Sequence, residues 1–198
     1  MTHGFDKDYW DQHWQQAHAG GPGGAAHPYL AEETSGLTPG TALDAGCGTG
    51  AEAVWLAAHG WQVTAVDIAA EALARAARLS DRVRWVEADL TTWSPGTRFD
   101  LVTTHYAHPA MPQLAFYDRI SEWVAPGGTL LLVGHLHTHG GHTPAEASVT
   151  LADITSGLDD TRWEITTAHE RLRRVTGKPD PLHDVVVRAT RRADAPAP

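Results

Sequence analysis

Two stretches of this chain concentrate residues that could do chemistry. One is GHLHTHGGH, residues 134–142, which places His135, His137, His139 and His142 within nine positions. If the strand leading into it continued, the first three would share a face, because side chains alternate across a sheet. Three imidazoles on one face can hold zinc, copper or nickel. The glycines argue instead that the strand has ended, and no metal is expected. The other stretch is LDAGCGTG, residues 43–50, followed by Asp67 at the end of VTAVD and Asp89 in VEADL. Gly46, Gly48 and Gly50 permit a sharp turn and let a ligand approach with no Cβ in the way. At a helix N-terminus such a loop offers backbone N–H groups to polar, often anionic, ligands. An acid closing the next strand can accept both hydroxyls of a ribose, and a carboxylate after the third can take the amino group of an adenine. Three successive strand ends thus converge on one adenosine-type ligand.

The spacing bears on which ligand. A dinucleotide loop reads G-x-G-x-x-G, whereas this one reads D-x-G-x-G-x-G with Asp44 at its head. A carboxylate there repels a pyrophosphate and suits an ammonium or sulfonium. That favours S-adenosylmethionine over a nicotinamide cofactor.

Positioning these residues requires a regular alternation, and the hydrophobic pattern supplies it. Apolar strands are expected at 41–46, 61–67, 82–89, 99–106 and 129–135, with helices at 51–60, 69–79 and 112–128 between them. Strands alternating with helices of this length mean a parallel sheet with right-handed crossovers. After a helix at 147–158, two long strands at 162–176 and 183–192 are separated by GKPDPL alone, so they pair as a hairpin and the sheet ends antiparallel. Ahead of the first strand, a helix at 6–18 carries Tyr9, Trp10 and Trp14 on neighbouring turns. AGGPGG at 19–24 reads as a hinge, and 27–37 as a second helix containing Tyr29. One domain of α/β class is expected: a helical lid at 1–36, a core at 37–192 and a tail at 193–198.

Composition excludes several function classes. The formal net charge of -9 weighs against an extended nucleic-acid surface and an anionic membrane partner. Cys47 is the only cysteine, so no intramolecular disulfide is possible. The N-terminus lacks the basic start and apolar stretch of a signal peptide, and no apolar run approaches the ~20 residues of a membrane span. A cytoplasmic address is expected.

LDAGCGTGAEAVWLA, VTAVD, VEADL, FDLVTTHY and APGGTLLLVGH together resemble the class I S-adenosylmethionine-dependent methyltransferases, in particular the small bacterial branch akin to tellurite-resistance and thiopurine enzymes. The resemblance runs from about residue 28 to the end and implies a doubly wound, Rossmann-like seven-stranded sheet with its last strand antiparallel. It implies S-adenosylmethionine as donor and S-adenosylhomocysteine as product. Asp44, Gly46, Gly48 and Gly50 would cradle the methionine moiety, with Cys47 a small residue of the same loop. Asp67 would hold the ribose, Ile68 would lie on the adenine, and Asp89 with Leu90 would bind its edge. His105 would lie beside the sulfonium, with Tyr106 and His108 beyond it, and His135 matches a histidine common at the fifth strand end. These four are the candidates for contact with a small-molecule acceptor, under a lid formed by Tyr9, Trp10 and Trp14 together with Tyr29. The Asn/Asp-Pro-Pro-aromatic motif of amino-methylating DNA enzymes is missing after the fourth strand, which counts against nucleobase methylation by that route. Two rival readings stay open: a nicotinamide-dependent oxidoreductase, and a metal- or adenosine-binding module built on the His135–His142 loop. The oligomeric state is not legible.

Overall fold

The computed structural model describes residues 5–16, 24–136, 149–174 and 181–193. Seven strands form one sheet in the order β3-β2-β1-β4-β5-β7-β6. In chain order the elements are α1 (Lys7–Gln16), α2 (Pro28–Thr34), β1 (Thr41–Ala45), α3 (Ala51–Ala58), β2 (Gln62–Asp67), α4 (Ala70–Ala76), β3 (Val83–Glu87), β4 (Phe99–His105), α5 (Gln113–Ser121), β5 (Val124–His135), α6 (Leu151–Ser156), β6 (Trp163–Arg173) and β7 (Leu182–Arg191). The pairs among β1 to β5 are parallel, and β7 runs antiparallel to both β5 and β6. This is the doubly wound, mixed sheet expected from the sequence.

The central strands read as unbroken apolar runs because both faces are covered. Period-two alternation divides them between two cores. Leu43, Val102, Leu130, Leu132, Val185 and Val187 face α5 and α6 with Phe116 and Ile120. Their neighbours Ala42, Leu101, Leu131, Val133 and Val186 face α2 and α3 with Leu30 and Leu56.

Several helices are shorter than expected, α6 for one beginning at Leu151 and not at 147, and the largest change falls before β5. The helix expected to run to residue 128 ends at Ser121, and β5 begins at Val124. Burial decides this: Trp123 and Val124 are taken into the core, and the Phe99 amide donates to the Trp123 carbonyl at 2.8 Å. The residues APGG then bulge between the pairs Phe99↔Val124 and Leu101↔Thr129, with Gly127 at a φ of 78°. The proline and glycine therefore break the ladder, where the sequence suggested that they stop a helix.

β1 lies between β2 and β4, so successive connections leave it in opposite directions. That makes the C-terminal ends of β1 and β4 the topological switch point, where open α/β sheets bind ligands.

Candidate active site

A cavity of about 680 Å³ opens at this switch point, within the ~300–1,000 Å³ range of small-molecule sites. One end is walled by Gly46, Cys47, Gly48, Asp67, Ile68, Asp89 and Leu90. The other is walled by His105, Tyr106, His108 and His135, with Tyr9, Trp10 and Trp14 of α1 above. The structure therefore brings together residues that the sequence spreads from Tyr9 to His135.

Three expected residues do not reach the wall. Gly50 caps α3 at a φ of 81°, and an added Cβ there would collide with the Trp85 ring and approach Ala76. Its role is close packing of the loop on α4 and β3. A Gly50→Val substitution is expected to destabilise the fold by about 2–3 kcal/mol through overpacking and backbone strain, read as a lowered urea midpoint. Tyr29 is buried beneath the acceptor end, its hydroxyl 3.5 Å from Asp184 Oδ2. Asp44 lies under the loop at 1% exposure.

The glycine loop also departs from the expectation that it offers free N–H groups. The Gly46 and Cys47 amides both donate to the Val66 carbonyl, and the Gly50 amide donates to the Cys47 carbonyl. The Gly48 amide donates to Asp67 Oδ2 at 2.7 Å. These donors are spent on holding the loop to β2 and, for Gly50, on the loop's own turn, so they form no cradle for a phosphate.

The surrounding charge is negative. Asp44 Oδ2 is buried with no hydrogen-bond partner. Burial, and then the charges of Glu52 and Asp67, hold the Asp44 carboxyl well above the usual carboxylate range. Glu52, on the first turn of α3, lines the cavity and accepts the His27 amide at 3.0 Å; burial raises it as well. Sequence reasoning missed Glu52, because an acid in a helix's first turn ordinarily reads as a complement to the helix dipole. Asp67 is raised chiefly by burial, against the pull of the Ala69 and Gly48 amides. A site with three crowded carboxyls favours hydroxyls and cations over a pyrophosphate. The Cys47 thiol is pushed up by burial and by Asp44, which leaves it protonated and a poor nucleophile.

These features fit S-adenosylmethionine. A Cβ on Gly48 would stand 3.0 Å from Trp14 Cζ2 and carries a φ of 50°, so bare backbone faces the space beneath α1. The unpartnered Asp44 oxygen and the partly satisfied Asp67 carboxylate supply acceptors for polar and cationic groups. Ile68, Ala88 and Leu90 supply an apolar wall.

The opposite end is a network of imidazole and phenol. His105 closes β4 with Nδ1 3.3 Å from Thr103 Oγ1 and with Nε2 buried and unpartnered. Burial, aided by His27, lowers its pKa to about 3, so the ring is neutral across the physiological range. Tyr106 takes a left-handed φ of 58°, a strained setting for an aromatic residue, and stacks on His135 with ring centroids 4.1 Å apart. Its hydroxyl is pushed far up by burial and then by the charge of Asp184, so it acts as a hydrogen-bond donor and not as a base. His108 Nδ1 donates to Gln113 Oε1 at 2.9 Å, and Phe5 stacks on its ring. Phe5, His13, Glu52, Ala107, Pro109 and Ala110 also line the cavity and carry no sequence signal that marks them out. Among the described residues no group of three or more histidine, cysteine or acidic side chains could hold a metal. His137, His139 and His142 lie outside the described residues, as do 19–23 of the expected hinge.

The sheet order, the switch-point cavity and the acid-rich glycine loop define a class I methyltransferase fold. Residues 42–128 match the family described as a methyltransferase domain. The chain is 28% identical over 153 residues to a probable thiol methyltransferase 2 of Arabidopsis thaliana, covering 71% of this chain and 68% of that one. It is 37% identical over 107 residues to a ribosomal RNA small subunit methyltransferase C of Alcanivorax borkumensis, 49% of this chain and only 33% of that one. Magnesium protoporphyrin IX methyltransferase of Synechocystis PCC 6803, solved with bound SAM, superposes with a TM-score of 0.69 at 18% identity, over 96% of this chain and all of that one. The methyltransferase domain match and these relatives support an S-adenosylmethionine-dependent methyltransferase, as the resemblance in the sequence implied.

Proposed function

We propose that the chain works as one domain that methylates a small-molecule nucleophile (a thiol, amine, hydroxyl or similar group) by in-line displacement. The single observation that carries this reading is one cavity joining the acid-rich loop to an aromatic and imidazole end beneath α1. Asp67 binds the ribose, Ile68 and Leu90 flank the adenine with Asp89 at its edge, and Gly46, Gly48 and Asp44 hold the methionine moiety. S-adenosylmethionine supplies a methyl carbon already activated by its sulfonium. The protein then contributes chiefly orientation, worth up to ~7–11 kcal/mol in well-aligned systems.

α1 acts as the lid. Lys7 Nζ donates to the Ile68 carbonyl and pairs with Glu87, both at 3.0 Å, on one side of the crevice. Trp10 Nε1 donates to the His108 carbonyl at 3.1 Å on the other, and Arg75 donates to the Trp14 carbonyl at 2.8 Å. No residue of α1 is buried, so the helix can lift as such contacts release. A lid across the opening favours a small acceptor, as does the net charge of -9 over a ribosomal RNA substrate. The thiol named for the Arabidopsis relative supports a soft nucleophile. Among the described residues no helix is long and apolar enough to cross a membrane.

The test is calorimetric titration of untagged, metal-stripped protein with S-adenosylhomocysteine, followed by an acceptor screen with S-adenosylmethionine. Tight binding without metal is expected, and absence of binding removes the reading. Trp10→Ala is expected to raise the acceptor KM by about tenfold, the ~1.4 kcal/mol of one lost hydrogen bond and ring contact. An unchanged KM would place the acceptor elsewhere than under α1.

A further inference from the structure

His135 has a partner on the C-terminal hairpin that no motif announces. His135 Nδ1 lies 2.9 Å from Asp184 Oδ1. Asp184, on β7, is fully buried. Burial works against its charge, but Arg173 and then His135 outweigh it and hold the carboxyl below its usual range. The carboxylate is therefore ionised and can only accept, so Nδ1 carries the hydrogen. The lone pair of the neutral ring then sits on Nε2, the opposite edge of an imidazole that lines the cavity. Arg173 Nε donates to the other carboxylate oxygen at 2.7 Å, and its NH2 nitrogen donates to the Tyr106 hydroxyl at 3.4 Å. Tyr106 in turn stacks on His135, so the ring is fixed by the carboxylate on one edge and by the phenol over its face.

We propose that Asp184 is a positioning residue that makes His135 the base for an acceptor arriving with a proton to lose, an alkyl thiol in the first instance. The proposal rests on the methyltransferase reading and assigns its acceptor class. In the step, the acceptor's X–H bond breaks and its proton goes to His135 Nε2. The electron pair left on X forms the bond to the methyl carbon, whose bond to sulfur breaks with its electrons kept by sulfur. The imidazolium, balanced by Asp184, then returns the proton to solvent. Among the described residues, the charged and titratable groups around His135 are Asp184 on β7, Arg173 on β6, His105 at the end of β4 with Tyr106 after it, Tyr29 on α2 and His27 just before it. His27 Nδ1 accepts the Tyr29 amide and its Nε2 lies 3.2 Å from the Tyr106 hydroxyl. With burial and then Arg173 depressing its pKa, His27 sits as a neutral support in the network. Two histidines of the same cavity thus divide the labour by environment: His105 is kept neutral as a hydrogen-bonding contact, and His135 is given a counter-charge.

The test compares methylation of 2-mercaptoethanol with that of iodide, which arrives as an anion and needs no base. In wild type both are expected to turn over. In His135→Gln and Asp184→Asn the ratio of thiol to iodide rates is expected to fall by about 10²-fold or more, the usual reach of a general base. The double variant should be no worse than His135→Gln alone. The acid limb of the thiol kcat/KM profile should move to lower pH in Asp184→Asn, because the imidazolium loses its counter-charge. Nitrogen-15 NMR of the S-adenosylhomocysteine complex reads the same point without turnover, and His135 is expected as the Nδ1–H tautomer in wild type and a mixture in Asp184→Asn. An Nε2–H tautomer in wild type overturns the proposal, as does an unchanged thiol-to-iodide ratio in a variant that still binds S-adenosylhomocysteine. A wild type that binds S-adenosylhomocysteine but methylates neither probe also overturns it. Failure of the wild type to bind S-adenosylhomocysteine at all would instead overturn the methyltransferase reading.

Discussion

Asp67→Ala is expected to bind S-adenosylhomocysteine at least about a hundredfold more weakly than wild type, with only a modest loss of fold stability. The carboxylate does two jobs at once. Its Oδ2 accepts the Gly48 amide at 2.7 Å and its Oδ1 accepts the Ala69 amide at 2.9 Å, so it fixes the turn of the glycine loop. Each oxygen retains one lone-pair direction for a ribose hydroxyl. Hydrogen bonds to a charged group contribute about 1.5–3 kcal/mol each. Losing two such bonds to the nucleoside therefore costs roughly 3 kcal/mol or more, which is about two orders of magnitude in affinity. Asp67→Asn keeps one acceptor and should fall between the two. Wild-type affinity in the alanine variant would remove Asp67 from the cofactor site.

Asp44→Asn should separate stability from binding. Asp44 is the residue whose ionisation suits the fold least: it is buried, one oxygen has no partner, and Glu52 and Asp67 crowd it. Its folded pKa is raised above the unfolded ~3.9, so folding takes up a proton. The stability tied to that proton is fully present below the unfolded value and is lost as pH rises through the folded one. The asparagine has no such dependence. The variant is expected to match wild type in acid and to exceed it by about 1–2 kcal/mol at pH 8, the scale on which uncompensated buried polarity is felt in proteins. At pH 8 it should bind S-adenosylhomocysteine at least about tenfold more weakly, because the ammonium of the methionine moiety loses its counter-charge, and the deficit should shrink in acid, where the wild-type carboxyl is protonated. Urea denaturation at several pH values checks the first part, and a gap that does not widen with pH would show that Asp44 is not the group under strain.

Such a trade between fold and ligand is common where a site concentrates like charges, since the arrangement that holds a cation is the one an empty core would reject. The same logic explains why the glycine loop spends its amides on Val66 and Asp67. With those donors occupied, what remains facing the cavity is carboxylate and bare backbone, which suits a sulfonium and repels a pyrophosphate.

Much of this was legible in the sequence, because local physics sets it. The switch from helical to strand periodicity placed the first four strands and the terminal hairpin, with ends that differ by a few residues at β3 and β6. A glycine loop and two acids at three successive strand ends marked out one end of the cavity without reference to any distant residue. The sequence misplaced the start of β5, because Pro126 and Gly127 read locally as a helix stop. Only pairing with Phe99 and burial of Trp123 make them a bulge in a strand.

The acceptor end was half legible. His105, Tyr106, His108 and His135 were visible as polar residues at strand ends, but their roles depend on partners far away in the chain. Asp184 in HDVVV and Arg173 in RLRR read as ordinary charges on a hairpin. They come to His135 only because β7 inserts antiparallel between β5 and β6, which sets Asp184 directly across from His135 in the register. His105 likewise shows nothing in sequence that would keep it neutral; that follows from enclosure beneath the sheet ends. The sequence by itself therefore determined the sheet and the cofactor loop, since backbone pattern and glycine spacing are local. Tertiary structure alone decided which histidine has a counter-charge, because burial and long-range strand pairing set the charge states of side chains that are otherwise alike.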